Sequence, residues 1–320
     1  MKLLTKCDIE KISNWLYQNG RELDVARFNN LFLNEEKENV LTGVTLYETD
    51  NGAFGRGVEP DNQNQEANVL SCAIVYEILF EAGYSFKDDD NEVFNEVLNS
   101  SLKYLFNHAP MEDDKWCVIE ENNNKYPCAE WWKYQDDDHC CLPFYPTPIL
   151  LGCILTFIKD DHKYYERSLK MGEKLMLDYL KYNISDKNDL HAMSILLKGL
   201  KKIGRVDNLY EEVHEKWLRD LDYALTRQKE RYPYNEACLL YEIVSDDLLL
   251  DGKFKDLIIE HGQFLIDSRQ TTGLWIPNWN WGNDDSYWDI ASILWCSVLA
   301  VRNLLFLKNF NLIEEGAFDE

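Results

Sequence analysis

Helical periodicity runs through almost all of this chain, and the alternation of a half-buried strand is nearly absent. Apolar residues at three- and four-residue spacing place helices near 7–18, 22–32, 36–48, 65–83, 91–107, 147–158, 161–182, 188–203, 208–228, 235–249, 253–269 and 287–308. Those twelve segments are mostly joined by short connections, the pattern of antiparallel helical hairpins stacked side by side. Six such hairpins closing on themselves would make an all-α (α/α)6 toroid, a single domain over residues 1–320. A solenoid of the same hairpins is the structural rival.

Composition narrows the partners. The 320 residues are 45% hydrophobic and 13% aromatic, ample for a large core. With 57 acidic against 33 basic residues the net charge is −24, which repels phosphate backbones and anionic membranes, so no nucleic-acid partner is expected. A local basic pocket would have to come from Arg56 or from Lys198, Lys201, Lys202 and Arg205. The nine cysteines show no framework spacing, and no signal-peptide core follows the N-terminus. The longest apolar run, 149–158, is half of the ~20 residues a membrane span needs. These features predict a reduced, cytoplasmic protein without a membrane span. His139-Cys140-Cys141, with Cys117 and Cys128, lacks any C-x-x-C or H-x3-H element, so neither a metal nor a cofactor is expected.

Between two helical segments lies 51–62, N-G-A-F-G-R-G-V-E-P-D-N, where Gly and Pro exclude regular helix. It places two carboxylates, Glu59 and Asp61, on a rigid loop at a helix entrance. Helix ends running into a turn and an aromatic anchor recur: Leu46-Tyr47 before Phe54, Tyr104-Leu105 before Trp116, Phe264-Leu265 before Trp275. The connection 109–146 has no clear periodicity and carries Trp116, Trp131, Trp132, Tyr134, His139 and Tyr145, which reads as a lid or cavity wall.

The segment 261–275, H-G-Q-F-L-I-D-S-R-Q-T-T-G-L-W, resembles the QW repeat of the terpenoid cyclase and protein prenyltransferase superfamily, with Gly262, Phe264, Gln270, Gly273 and Trp275 at or near its positions. The resemblance implies an α/α toroid in which the Gln caps a neighbouring helix and the Trp stacks beside it. The chain also resembles a group of Firmicutes-type proteins with E-P-D-N after a glycine-rich loop, P-x-x-x-W-W and a late W-x-W-G, here 59–62, 127–132 and 279–282. That group brings no reaction with it. The D-x-D-D acid of class II cyclases and the Asp-x-Cys of prenyltransferases are missing. Asp88-Asp89-Asp90 reads as acids at a helix start, favoured by the dipole.

Three groups are candidates for chemistry. Glu59 and Asp61 would act as a protonated acid and an ionised partner in an aromatic cavity; the structural alternative has Asp61 or Asn62 capping the next helix and Glu59 paired to Arg56. Glu130, Trp131, Trp132 and Tyr134 suit a sugar platform or a wall for a cation, or else anchor the long loop. Trp275, Trp279, Trp281 and Trp288, with Asp284, Asp285 and Tyr287, suit a cavity rim or ring closure. His191, at a helix start, is a further catalytic candidate. The expected function is a small-molecule enzyme with an acidic, aromatic central cavity and acid-initiated, terpenoid-cyclase-like chemistry. The alternatives are a carbohydrate-active (α/α)6 enzyme and a non-catalytic protein-binding toroid. The expected partner is an isoprenoid or a carbohydrate.

Overall fold

A computed structural model describes residues 2–135, 142–282 and 286–319. Among them stand α1 (Lys6–Asn19), α2 (Glu22–Leu33), α3 (Glu38–Thr45), α4 (Val69–Glu81), α5 (Glu92–Asn107) and α6 (Thr147–Phe157). There follow α7 (Tyr165–Tyr179), α8 (Lys187–Lys202), α9 (Asn208–Ala224), α10 (Lys255–Asp267) and α11 (Ser286–Asn309). The only sheet among the described residues is the hairpin of β1 (Met111–Glu112) and β2 (Lys115–Trp116). The chain is all-α, and eleven of the helices expected from periodicity are present, with ends displaced by no more than four residues.

The twelfth is a correction. Over 235–249 only one 3-10 turn forms, Leu240–Glu242. Side chains of neighbouring helices take the backbone groups that an α-helix would pair within itself. The Leu240 N–H donates to His261 Nδ1 at 3.0 Å, and the Ile243 carbonyl accepts from His191 Nδ1 at 2.9 Å. The carbonyls of Ser245 and Leu248 accept from Asn309 and Lys201, each at 2.9 Å. Tertiary partners here override the local period.

Helices that are apolar all round set the interior. Every residue of α6 is buried, and so is most of α4 and α8, whereas α1, α5, α7 and α9 bury one stripe each. α6 packs between α4 and α8, with α7 and α9 outside them. The α6–α8 approach depends on two glycines. A Cβ on Gly199 would lie 2.3 Å from the Gly152 carbonyl oxygen, and one on Gly152 would lie 2.4 Å from that of Ile195. Gly199→Ala is therefore expected to cost about 3 kcal/mol or more, despite the better helix propensity of Ala. Urea denaturation checks this; a neutral or stabilising result would mean that the two helices separate freely.

One continuous apolar cluster extends from Leu4 to Ala317. α11 packs on α1, α2 and α10, and Leu4 pairs in parallel with Ile313, so the last helix returns to the first two. Tyr287–Asn309 is long and apolar enough to cross a membrane, yet 61% of its most apolar window is buried inside the fold. Cys117 is disulfide-bonded, against the expectation of thiols throughout, while Cys7, Cys72, Cys128, Cys153, Cys238 and Cys296 are free. Ahead of α5, Asp88 closes a capping box with Ser85 and pairs with Lys37, Asp89 pairs with Lys159, and Asn91 caps the helix itself.

Candidate functional site

The loop between α3 and α4 is built from short-range polar contacts. Arg56 and Gly57 both take positive φ, 52° and 69°, turning the chain back on itself. A Cβ on Gly55 would sit 2.2 Å from the Glu66 carbonyl oxygen, so the backbones touch there. Asn62 and Asn64 each accept the amide two residues on, at 3.2 and 2.9 Å, and Asn68 caps α4 by accepting from Ser71 N–H at 2.8 Å. The cap is thus Asn68, neither Asp61 nor Asn62.

Two outside elements clamp Glu59-Pro60-Asp61. From one side, Arg21 donates to the Val58 carbonyl at 2.6 Å while it forks onto the fully buried Asp24 at 2.6 and 3.2 Å. Asp24 also accepts from Ser297 Oγ of α11 at 2.6 Å. From the other side, the long connection supplies the Pro127 carbonyl to Gln63 N–H at 2.9 Å and the Ala129 N–H to the Asp61 carbonyl at 2.8 Å. The connection thus backs this loop through its main chain.

The carboxylate of Asp61 is the hub of the tryptophan cluster. Trp281 and Trp295 donate their indole N–H to Oδ1 at 2.7 and 2.8 Å, and Trp279 donates to Oδ2 at 3.1 Å. Asp61 is 3% exposed; burial pushes its carboxyl up, against the three indole donors. It does not line the cavity beside it.

Glu59 does. A cavity of about 370 Å³ is lined by Arg21, Arg27, Glu59, Glu77, Tyr145, His191, Lys198, Trp295 and Arg302, among others from α2, α4, α8, α11 and 241–248. Burial and then the Asp61 charge, only partly opposed by Arg21, push the Glu59 carboxyl up to about 8. It is half-buried and lines the cavity. Its expected partner Arg56 is instead exposed, 3.8 Å from Asp50.

Opposite in sense is Glu77. Its Oε1 lies 2.8 Å from His191 Nε2, while His191 Nδ1 lies 2.9 Å from the Ile243 carbonyl. A carbonyl only accepts, so Nδ1 carries a proton, and the carboxylate draws a second onto Nε2. Burial would raise Glu77 and lower His191, but their mutual charge wins: Glu77 falls below 4.5 and His191 rises above 6.5. The raised His191 contributes stability below 6.5 that is lost as pH climbs through its folded value; the lowered Glu77 contributes above 4.5 and is lost as pH falls. The pair is therefore strongest from 4.5 to 6.5. In a Glu77→Gln variant His191 should titrate below 6.5, because burial and the Lys198 charge are then opposed only by the hydrogen bond to the Ile243 carbonyl. Imidazole NMR against pH checks this; an unmoved titration would mean that another group sets the proton.

The other expected residues lie elsewhere. Glu130 is exposed and bound to Lys133 at 2.5 Å, and Trp131 is 45% exposed, so neither faces the cavity. Trp132 packs with Trp281, Trp288 and two alanines, and Tyr134 is held through its backbone by Asn124. Trp275 caps α10 by donating to the Leu265 carbonyl at 2.8 Å, as Trp116 caps α5 at the Leu105 carbonyl, also at 2.8 Å. The helix–turn–aromatic repeat is in these two places a C-terminal cap. The side chain of Gln270 is exposed and makes no hydrogen bond among the described residues. His139, Cys140, Cys141, Asp284 and Asp285 lie outside the described residues. A larger cleft of about 910 Å³ beside α7 is a solvent-open groove rimmed by surface ion pairs of Lys174 with Asp113 and Asp114.

Glu77, Arg21, Trp295 and Arg302 went unread in the sequence. For Glu77 and Arg302 a signal existed: Glu77 interrupts the apolar run of α4, and Arg302 is the only charge between Asp289 and Lys308. Comparison with protein-family models, curated proteins and solved structures gives no match.

Proposed function

We propose that this chain is an (α/α)6-toroid enzyme that performs acid–base chemistry on a carbohydrate in its central cavity. The carrying observation is a pair of carboxyl groups lining one cavity in opposite surroundings: burial and the Asp61 charge push Glu59 up to about 8, while the His191 imidazole, 2.8 Å away, holds Glu77 low. Carboxyls pushed apart in this way divide the work of general acid and general base. Glu59 then protonates the leaving oxygen, and Glu77 takes the proton from water or from a sugar carbon. Tyr145 and Trp295 offer aromatic surface to the ring. Asp61 is a positioning residue, acting through its charge on Glu59. The toroid reading is supported by the packing of α11 on α1 and α2.

The terpenoid-cyclase reading retains one supporting observation, a single protonated acid beside aromatic rings. The charged lining weighs against it, since Arg21, Arg27, Glu77, His191 and Lys198 all face the cavity and an isoprenoid needs an apolar one. Thermal-shift and native mass spectrometry against oligosaccharide and isoprenoid panels separate the two. Saccharides should stabilise the protein, and turnover of the bound one should vanish in both Glu59→Gln and Glu77→Gln. A retained isoprenoid with silent saccharides would overturn the carbohydrate reading.

A further inference from the structure

Almost every cation facing the central cavity has a carboxylate of its own. Arg21 holds Asp24, Arg27 holds Glu81 at 2.7 Å, Lys198 holds Asp246 at 2.8 Å, and His191 holds Glu77. Two do not: Lys202, whose ammonium lies over the Phe80 ring 3.6 Å from its centroid, and Arg302, from the middle of α11. The Arg302 Nε is buried without a hydrogen-bond partner, and the side chain forms no ion pair with any described carboxylate. The nearby Glu242 is already committed, through Oε1 to Lys187 at 2.7 Å and through Oε2 to the Leu239 N–H at 2.9 Å. In a chain with 57 acids against 33 bases, a half-buried guanidinium left without a carboxylate beside a cavity is easily avoided. Its retention points to an anion supplied from outside.

We propose that the ligand of the central cavity carries a carboxylate and that Arg302 binds it through its two-pronged guanidinium. Resting on the carbohydrate reading above, this makes the substrate class an acidic, uronate-type sugar. A guanidinium matches a carboxylate at two points. A phosphate dianion fits less well, because the carboxylates of Glu77 and Asp246 in the same cavity repel two charges more than one.

Isothermal titration tests this with the full chain. Glucuronate and galacturonate, single and oligomeric, are compared with glucose, galactose and their 6-phosphates, on wild type, Arg302→Met and Arg302→Lys. The acidic sugars should bind best to wild type. Arg302→Met should weaken them about 10- to 100-fold, with Arg302→Lys between and neutral sugars unaffected. Without ligand, Arg302→Met should melt no lower than wild type; a clear loss would mark a structural arginine and overturn the proposal. Equal binding of neutral and acidic sugars, or preference for the phosphates, would also overturn it and leave the carbohydrate reading standing. Arg302-dependent binding of malonate with no sugar bound would support the carboxylate site and sink the carbohydrate reading. Failure of Arg302→Met to fold counts as that loss of stability and overturns the proposal likewise.

Discussion

At about pH 9, Glu59→Gln should be more stable than the wild-type protein while it has lost its catalysis. The Glu59 carboxyl is displaced from 4.5 to about 8, so the folded state resists its ionisation. The stability tied to its proton is fully present below 4.5 and is lost as pH rises through about 8. Full ionisation corresponds to roughly 5 kcal/mol at 1.36 kcal/mol per unit, and solvent in the cavity reduces that to roughly 2–4 kcal/mol. Glutamine keeps the shape and cannot ionise, so its denaturation free energy should stay flat where that of wild type falls. Turnover should drop by about 10²–10⁴-fold, the usual loss of a general acid. Urea denaturation at a series of pH values, beside the rate on the bound saccharide, measures both. Parallel stability curves from about pH 6 to about pH 9 would remove Glu59 as a protonated group, and with it the acid of the mechanism.

The outer helices were readable because one-sided burial writes a 3.6-residue period into the sequence, as in α1, α5, α7 and α9. For α4 and α6 the period is blurred by burial on nearly all sides, yet an apolar run of that length still reads as helix. The stretch 235–249 misled because its backbone is satisfied by His191, His261, Lys201 and Asn309, none of which a local window contains. The site divides along the same line. Glu59 and Asp61 stood out from a loop whose Gly and Pro residues announce special geometry. Glu77 and Arg302 sit inside helices that look like plain core, and only their isolation in apolar runs marks them. Glu130 and Trp131 were misjudged because aromatic density alone does not say which face of a loop is inward; Trp131 is 45% exposed while Trp281 is 5% exposed.

Asp61→Ala should be the most destabilising single change in the site. Three indole N–H groups converge on one buried carboxylate, from Trp279, Trp281 and Trp295. Alanine leaves all three donors in a space that water does not readily fill, and each buried unpaired donor costs about 1–3 kcal/mol. Allowing for relaxation, the loss should be about 3–6 kcal/mol, comparable with the whole stability of a marginal domain. Asp61→Asn is the informative partner. It keeps acceptor oxygen and volume but turns an amide toward at least one indole, so the loss should be about half as large. It also removes the negative charge that, after burial, is the main force raising Glu59. The Glu59 carboxyl should then titrate below about 8, and the fall of activity on the alkaline side should move to lower pH with it. Chemical denaturation and the pH–rate profile of Asp61→Asn read these two effects separately. Lost stability with an unmoved profile would make Asp61 a structural anchor only, whereas both changes together tie the tryptophan cluster to the proton on Glu59.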